Sequence, residues 1–182
     1  LATKDKKDFE NISKLIPNKE FRIYYSNDLI GTQIGGALKN IYAIAAGIAE
    51  GLNLGENAKS ALISRSFAEM TRYAKKFKAD KNTLFGLSGL GDLILTCSSK
   101  NSRNTQFGIK LASSKYDNFL DLLKSQEVTE GYYTVKAVYN ISQKKNIDMP
   151  IMESVYNILY KQHDLKEELS NLLSRPITEE KI

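Results

Sequence analysis

Lys39 is the only charged side chain in the run LIGTQIGGALKNIYAIAAGI, residues 29–48, and Asn40 follows it directly. Apolar neighbours desolvate an amine and disfavour its charged form, which suits a group that must give up and regain a proton. The competing reading puts Lys39 on the one wet edge of a helix, its stem along apolar surface and its head in water. Asn40 carries the same ambiguity. A second cluster is GLSGLGDLILTCSSKNSRN, residues 86–104, where Gly86, Gly89 and Gly91 surround Asp92. Thr96, Ser98, Ser99, Asn101, Ser102, Arg103 and Asn104 follow within one short stretch. Arginine with hydroxyl, amide and backbone N–H donors at a helix start is the equipment that holds a phosphate. The plain alternative is a polar loop in which Ser102 caps a helix running through Phe107 and Leu111. The third cluster is EVTEGYYT, residues 127–134, with Glu130 and Gly131 at a helix start, where a carboxylate also complements the helix dipole.

The elements that position these groups read as helices. Ile34, Leu38, Ile41, Ala45, Ile48 and Leu52 step by the spacing of one helical face. Ala58, Leu62, Phe67, Met70, Ala74 and Phe77 continue the rhythm over residues 56–78. Further amphipathic helices are expected over 117–124, 131–144, 149–160 and 164–174, with Pro150 in a first turn, where its missing N–H costs nothing. The beginning differs: residues 9–15 read as a short helix, and EFRIYYS, with β-formers at 21–25, reads as a strand.

Composition restricts what this arrangement could serve. A chain of 182 residues with 42% hydrophobic content can hold one good-sized domain and part of another. Lys and Arg outnumber Asp and Glu by 26 to 21, spread along the chain, which fits an acidic small molecule better than nucleic acid. A single cysteine, Cys97, excludes an internal disulfide and any multi-cysteine metal site, so the expectation is a reducing compartment, the cytoplasm, and no metal. Residues 29–48 are long enough for a bilayer, but Thr32, Gln33, Lys39, Asn40 and Tyr42 interrupt them, so they read as a buried helix without membrane insertion. The only histidine, His163, reads as a solvated surface residue and Cys97 as a core filler.

The blocks GTQIGGALKNIYAIAAGIAEGLNLGENAKSALISRSFAEMTRYAKKF, GLSGLGDLILTCSSKNSRNTQFG and VTEGYYT together resemble the C-terminal half of bacterial NAD(P)-dependent glycerol-3-phosphate dehydrogenases, from about residue 21 to 150. The resemblance implies an all-α fold, a multi-helical C-terminal dehydrogenase domain of the 6-phosphogluconate dehydrogenase C-terminal-like type, preceded by a short βα remnant of a Rossmann domain. It divides the chain into residues 1–28, the end of the dinucleotide-binding domain, and 29–182, the helical substrate-binding and catalytic domain. It implies reduction of dihydroxyacetone phosphate to sn-glycerol 3-phosphate for phospholipid synthesis, with NAD or NADP as cofactor and a homodimer as assembly. On the matching positions Lys39 is the catalytic acid and base. Lys39, Asn40, Asp92, Thr96, Ser102, Arg103 and Asn104 hold substrate, and Arg103, Val128 and Glu130 touch the cofactor.

No G-x-G-x-x-G occurs in the sequence and no Walker lysine either, so the dinucleotide cradle is expected mostly outside this chain, which by itself would turn nothing over. Two other functions fit the same residues less well. A different helical-domain dehydrogenase acting on a hydroxy acid or sugar acid has no need of the Ser102-Arg103-Asn104 cluster. A non-catalytic helical interaction module would require that no dinucleotide-binding half was ever attached.

Overall fold

The computed structural model describes residues 1–16, 21–113 and 129–176. Helix α1 spans Lys6–Lys14, α2 Leu29–Gly51, α3 Glu56–Lys76 and α4 Lys81–Phe85; a π-helical turn at Leu87–Gly91 leads into α5, Asp92–Ser98. Helix α6 covers Arg103–Ala112, α7 Glu130–Lys145, α8 Pro150–Lys161 and α9 Leu165–Leu173. The helix expected over 117–124 lies outside the described residues.

Helix α2 is the axis of the molecule, packed against α3, α5, α6, α7 and α8. The expected single apolar face describes only its first half. Residues 41–49 are buried on every side, because other helices surround them. Glycine makes the closest of these approaches possible. A Cβ on Gly47 would lie 2.0 Å from the Thr105 carbonyl oxygen, and one on Gly108 would lie 2.2 Å from that of Ile44, so α2 and α6 cross backbone to backbone. Side-chain caps fix where the helices begin. Asp28 Oδ1 accepts from the Gly31 N–H at 2.9 Å to start α2, and its Oδ2 accepts from the Asp80 N–H at 2.8 Å, tying the same aspartate to the start of α4.

Glu69, in the middle of α3, is 1% exposed. Its Oε1 accepts from the Ile151 N–H at 2.6 Å, and its Oε2 accepts from the Met152 N–H at 3.1 Å and the Tyr42 hydroxyl at 3.3 Å. The carboxylate thus satisfies orphan donors at the start of α8, where Pro150 occupies the expected first turn. Burial pushes its pKa up to about 7, against the hydrogen bonds from Ile151 and Met152, which act to lower it.

The strand expected at residues 21–25 needs correction. Residues 21–25 form no strand; a lone parallel bridge joins Ala2 to Ser26, and Phe21 and Tyr24 are exposed. A β-forming stretch becomes a strand only when a neighbour supplies a ladder, and here residues 21–25 receive a main-chain contact, from the Leu1 ammonium to the Tyr24 carbonyl oxygen at 2.9 Å, and a ring contact, Phe9 lying 5.3 Å from Tyr25. His163 is exposed, as expected, and its Nδ1 lies 2.7 Å from Oε1 of the buried Glu168.

Candidate functional site

The first half of α2 places Lys39 and Asn40 just before the helix becomes wholly enclosed. Lys39 donates from Nζ to Asp92 Oδ2 at 2.5 Å, across 53 positions of sequence, from α2 to the first residue of α5. The two side chains are 24% and 30% exposed. The ammonium is therefore neither sealed among apolar groups nor simply out in water. It is held by an opposite charge at the edge of the core, where a ligand can still reach it. Asp92 is positioned in turn by the π-helical turn before it. A Cβ on Gly35 of α2 would lie 2.1 Å from the Ser88 carbonyl oxygen, so bare backbone lets this turn seat against α2. Thr96, one turn further along α5, donates its hydroxyl to the Asp92 carbonyl oxygen at 2.6 Å and lies 3.4 Å from Asp92 Oδ1.

A second set of contacts begins at the next residue. Asn104 is 5% exposed; its Nδ2 donates to Asn40 Oδ1 at 3.0 Å, and its Oδ1 accepts from the Gly131 N–H at 3.0 Å. One short amide thus joins α2, α6 and α7, and retains one N–H for a ligand. Thr105 ties this set to the first, donating its hydroxyl to the Thr96 carbonyl oxygen at 2.9 Å. Ser102 accepts from the Thr105 N–H at 3.2 Å, so it is the expected cap of α6 and its own hydroxyl proton remains free to donate.

Arg103 and Glu130 stand at the outer edge, on the first residues of α6 and α7. Arg103 Nη2 donates to Glu130 Oε1 at 2.8 Å, with side chains 78% and 64% exposed. Arg103 forms no hydrogen bond or ion pair with Lys39 or Asp92; its neighbour Asn104 reaches Asn40, the residue after Lys39. A guanidinium so exposed can exchange its carboxylate for an external anion at little cost, since a surface ion pair is worth about 0–1 kcal/mol. Its open position suits the charged part of a dinucleotide, and Glu130 offers an acceptor for hydroxyls beside it. Val128 lies outside the described residues. Cys97 is buried, and its thiol is pushed up to about 12 by burial, with Lys59 acting to lower it, so it supplies no nucleophile.

Sequence reasoning named Lys39, Asn40, Asp92, Thr96, Ser102, Arg103, Asn104 and Glu130, and the contacts among them and their chain neighbours form one connected set beside the middle of α2. It missed Thr105, whose link between α5 and α6 has no local signature, and the use of the Gly131 N–H as a fixed donor to Asn104. Among the described residues no helix is long and apolar enough to cross a membrane, and no group of His, Cys, Asp and Glu has the arrangement of a metal site.

Comparison with known proteins bears on the same region. Residues 28–170 match the model of the NAD-dependent glycerol-3-phosphate dehydrogenase C-terminus. A glycerol-3-phosphate dehydrogenase [NAD(P)+] of Solidesulfovibrio magneticus is 45% identical over 99% of this chain and 54% of its own length. That of Staphylococcus haemolyticus is 42% identical over 96% of this chain and 52% of its own. The chain thus spans about half the length of the curated relatives it matches. Among solved structures, glycerol-3-phosphate dehydrogenase from Coxiella burnetii superposes with a TM-score of 0.89 at 36% identity, over 96% of this chain and 53% of that one. That from Plasmodium falciparum superposes with a TM-score of 0.83 at 28% identity, over 98% of this chain and 52% of that one. With an all-helical body shared at this level, and with the match running through every helix from α2 to α8, the chain belongs to the NAD-dependent glycerol-3-phosphate dehydrogenase family and corresponds to its C-terminal half.

Proposed function

We propose that the whole protein reduces dihydroxyacetone phosphate to sn-glycerol 3-phosphate with NAD(P)H, feeding phospholipid synthesis, and that residues 29–182 supply its substrate-binding and catalytic half. The observation that carries this reading is the Lys39–Asp92 pair, an ammonium 24% exposed and fixed by a carboxylate at 2.5 Å, set beside the Asn40–Asn104 contact. A ketone that gains hydride at carbon becomes an alkoxide and needs a proton at oxygen. Lys39 is the proton donor in reach of such an oxygen, and Asp92 holds its ammonium in place while leaving two N–H bonds for the substrate. The bound nicotinamide supplies the hydride. Asn104, with the free hydroxyl of Ser102 and the N-terminal end of α6, anchors the phosphate, and Arg103 adds charge there. Anchoring the phosphate orients the carbonyl toward Lys39.

In this reading residues 1–28 close the dinucleotide-binding domain, and Arg103, Val128 and Glu130 reach the cofactor from the helical side. The buried, unpaired Cys97 supports a cytoplasmic location, and the assembly proposed is a homodimer, to be checked by light scattering on the whole protein. The test of function is direct. The whole protein should oxidise NADH or NADPH in the presence of dihydroxyacetone phosphate, and Lys39→Ala should not. Turnover of a hydroxy acid in its place would transfer the assignment to another dehydrogenase class.

A further inference from the structure

Four of the five glycines in α2 have a packing reason. A Cβ would collide with the Asp28 carboxylate at Gly31, with the Ser88 carbonyl at Gly35, with the Thr105 carbonyl at Gly47 and with Ala112 at Gly51. Gly36 is the exception: a Cβ there would meet nothing within 4 Å. Its backbone is ordinary right-handed helix. Glycine in a helix interior is less favourable than every residue except proline, so a glycine without a steric or conformational reason leaves its cost unexplained.

The position of this gap suggests its use. Gly36, Lys39 and Asn40 lie three and four residues apart on one helix face, and Asn40 Nδ2 donates to the Gly36 carbonyl oxygen at 3.4 Å. Long side chains on a helix lean toward its N-terminus, so the Lys39 stem projects toward the Gly36 turn. The same Asn40 amide accepts from Asn104 Nδ2 through its Oδ1 at 3.0 Å, and Asn104 Oδ1 accepts from the Gly131 N–H at the start of α7. The gap at Gly36, the Lys39 stem and the candidate anion anchor at Asn104 thus gather on one face of α2, with the Asn40 amide joining Gly36 to Asn104.

We propose that Gly36 is a specificity-determining residue: the space where its Cβ would stand receives the unphosphorylated carbinol end of a short phosphorylated ketone, whose carbonyl lies at Lys39 and whose phosphate lies at the Asn104 end. This rests on the function proposed above and adds which part of the substrate touches α2. The CH2OH group lies beyond the reacting carbonyl, which Lys39 and the phosphate anchor already place.

The experiment compares Gly36→Ala and Gly36→Ser with the parent in the whole protein, using dihydroxyacetone phosphate and glycolaldehyde phosphate, which ends at its carbonyl and lacks the CH2OH. In Gly36→Ala, kcat/KM for dihydroxyacetone phosphate should fall at least about tenfold, the scale at which a pocket feels one extra carbon. The fall should be several times smaller for glycolaldehyde phosphate, and Gly36→Ser should exaggerate the difference. KM for NAD(P)H should stay unchanged and Tm should rise, because alanine favours helix and meets no neighbour. Equal losses on both carbonyl compounds, or a raised KM for NAD(P)H, would assign the gap to the cofactor and overturn the proposal. Unchanged kinetics would show that nothing occupies it, and a lowered Tm that the space is not free. A parent enzyme that reduces neither compound defeats the functional reading, and the proposal with it.

Discussion

Asp92 and Glu69 both bring a carboxylate against α2, and they are used in opposite ways. Glu69 is 1% exposed, and its oxygens are taken by the Ile151 and Met152 N–H groups and the Tyr42 hydroxyl. Two of its three partners are backbone, held by the folds of α8, and no ligand could replace them without opening the core. Asp92 keeps 30% of its side chain exposed, and its charged partner is the end of a flexible lysine. A new ligand can enter that pair and share its hydrogen bonds. What separates a structural charge from a chemical one here is access and the replaceability of the partner, since both carboxylates are well hydrogen-bonded. The Arg103–Glu130 pair marks the far extreme, where both side chains are mostly in water and exchange of partners costs least.

The largest effect expected from this contrast is on turnover. Lys39→Ala in the whole protein should lower kcat by roughly two to four orders of magnitude, the range for loss of a positioned proton-transfer group. Its Tm should remain close to the parent's, because Asp92 left alone is still partly hydrated. Near-normal kcat would remove Lys39 from the chemistry. Collapse of the fold would instead place the pair with Glu69 among the structural charges.

The pH dependence of stability should come from the other carboxylate. Glu69 has an ordinary value of 4.5 and a folded value of about 7, so between these the folded state binds more protons than the unfolded one. Stability then falls as pH rises through that window, by about 3 kcal/mol from this group, and levels off above it. Thermal melts from pH 4.5 to 7.5 should show the decline, and Glu69→Gln should flatten it even though the amide loses one backbone bond. A slope that Glu69→Gln leaves untouched would mean that the carboxylate stays ionised throughout.

At the exposed end, Arg103→Ala should reduce kcat/KM for dihydroxyacetone phosphate by roughly tenfold to a hundredfold, the value of one charge-assisted contact of about 1.5–3 kcal/mol. Arg103→Lys should act mainly on KM, keeping the charge and losing the fork. Neither should move Tm by more than a surface pair allows. An unchanged KM for both substrate and cofactor would leave Arg103 as a partner of Glu130 and nothing more. The smallest effect belongs to Cys97: iodoacetamide at pH 8 should leave the native thiol unmodified and label it fully after unfolding. Rapid native labelling would show that the core around α5 opens readily.

Much of the helical framework could be read from residues close in sequence. The start of α3 at Glu56, the cap of α6 at Ser102 and Pro150 in the first turn of α8 are local matters of period, hydrogen bonding and proline geometry, and they agree with the structure. The candidate residues were legible as clusters for the same reason, since the Gly36–Asn40 and Ser102–Asn104 blocks are contiguous. Periodicity reports only which side of its own helix a residue faces. It could not show that Lys39 meets Asp92 53 positions away or that Asn40 meets Asn104 64 positions away. Those pairings depend on how α5 and α6 cross α2, and the crossing depends on whether backbones can touch at Gly35, Gly47 and Gly108. The apolar pattern likewise implied one buried face for α2 where tertiary packing encloses residues 41–49 from all sides. Residues 21–25 show the reverse, a local β preference unrealised because no neighbouring strand meets it. Types, helices and caps follow from short-range physics; the ion pair at the edge of the core and the open space beside Gly36 exist only because distant helices pack around one axis.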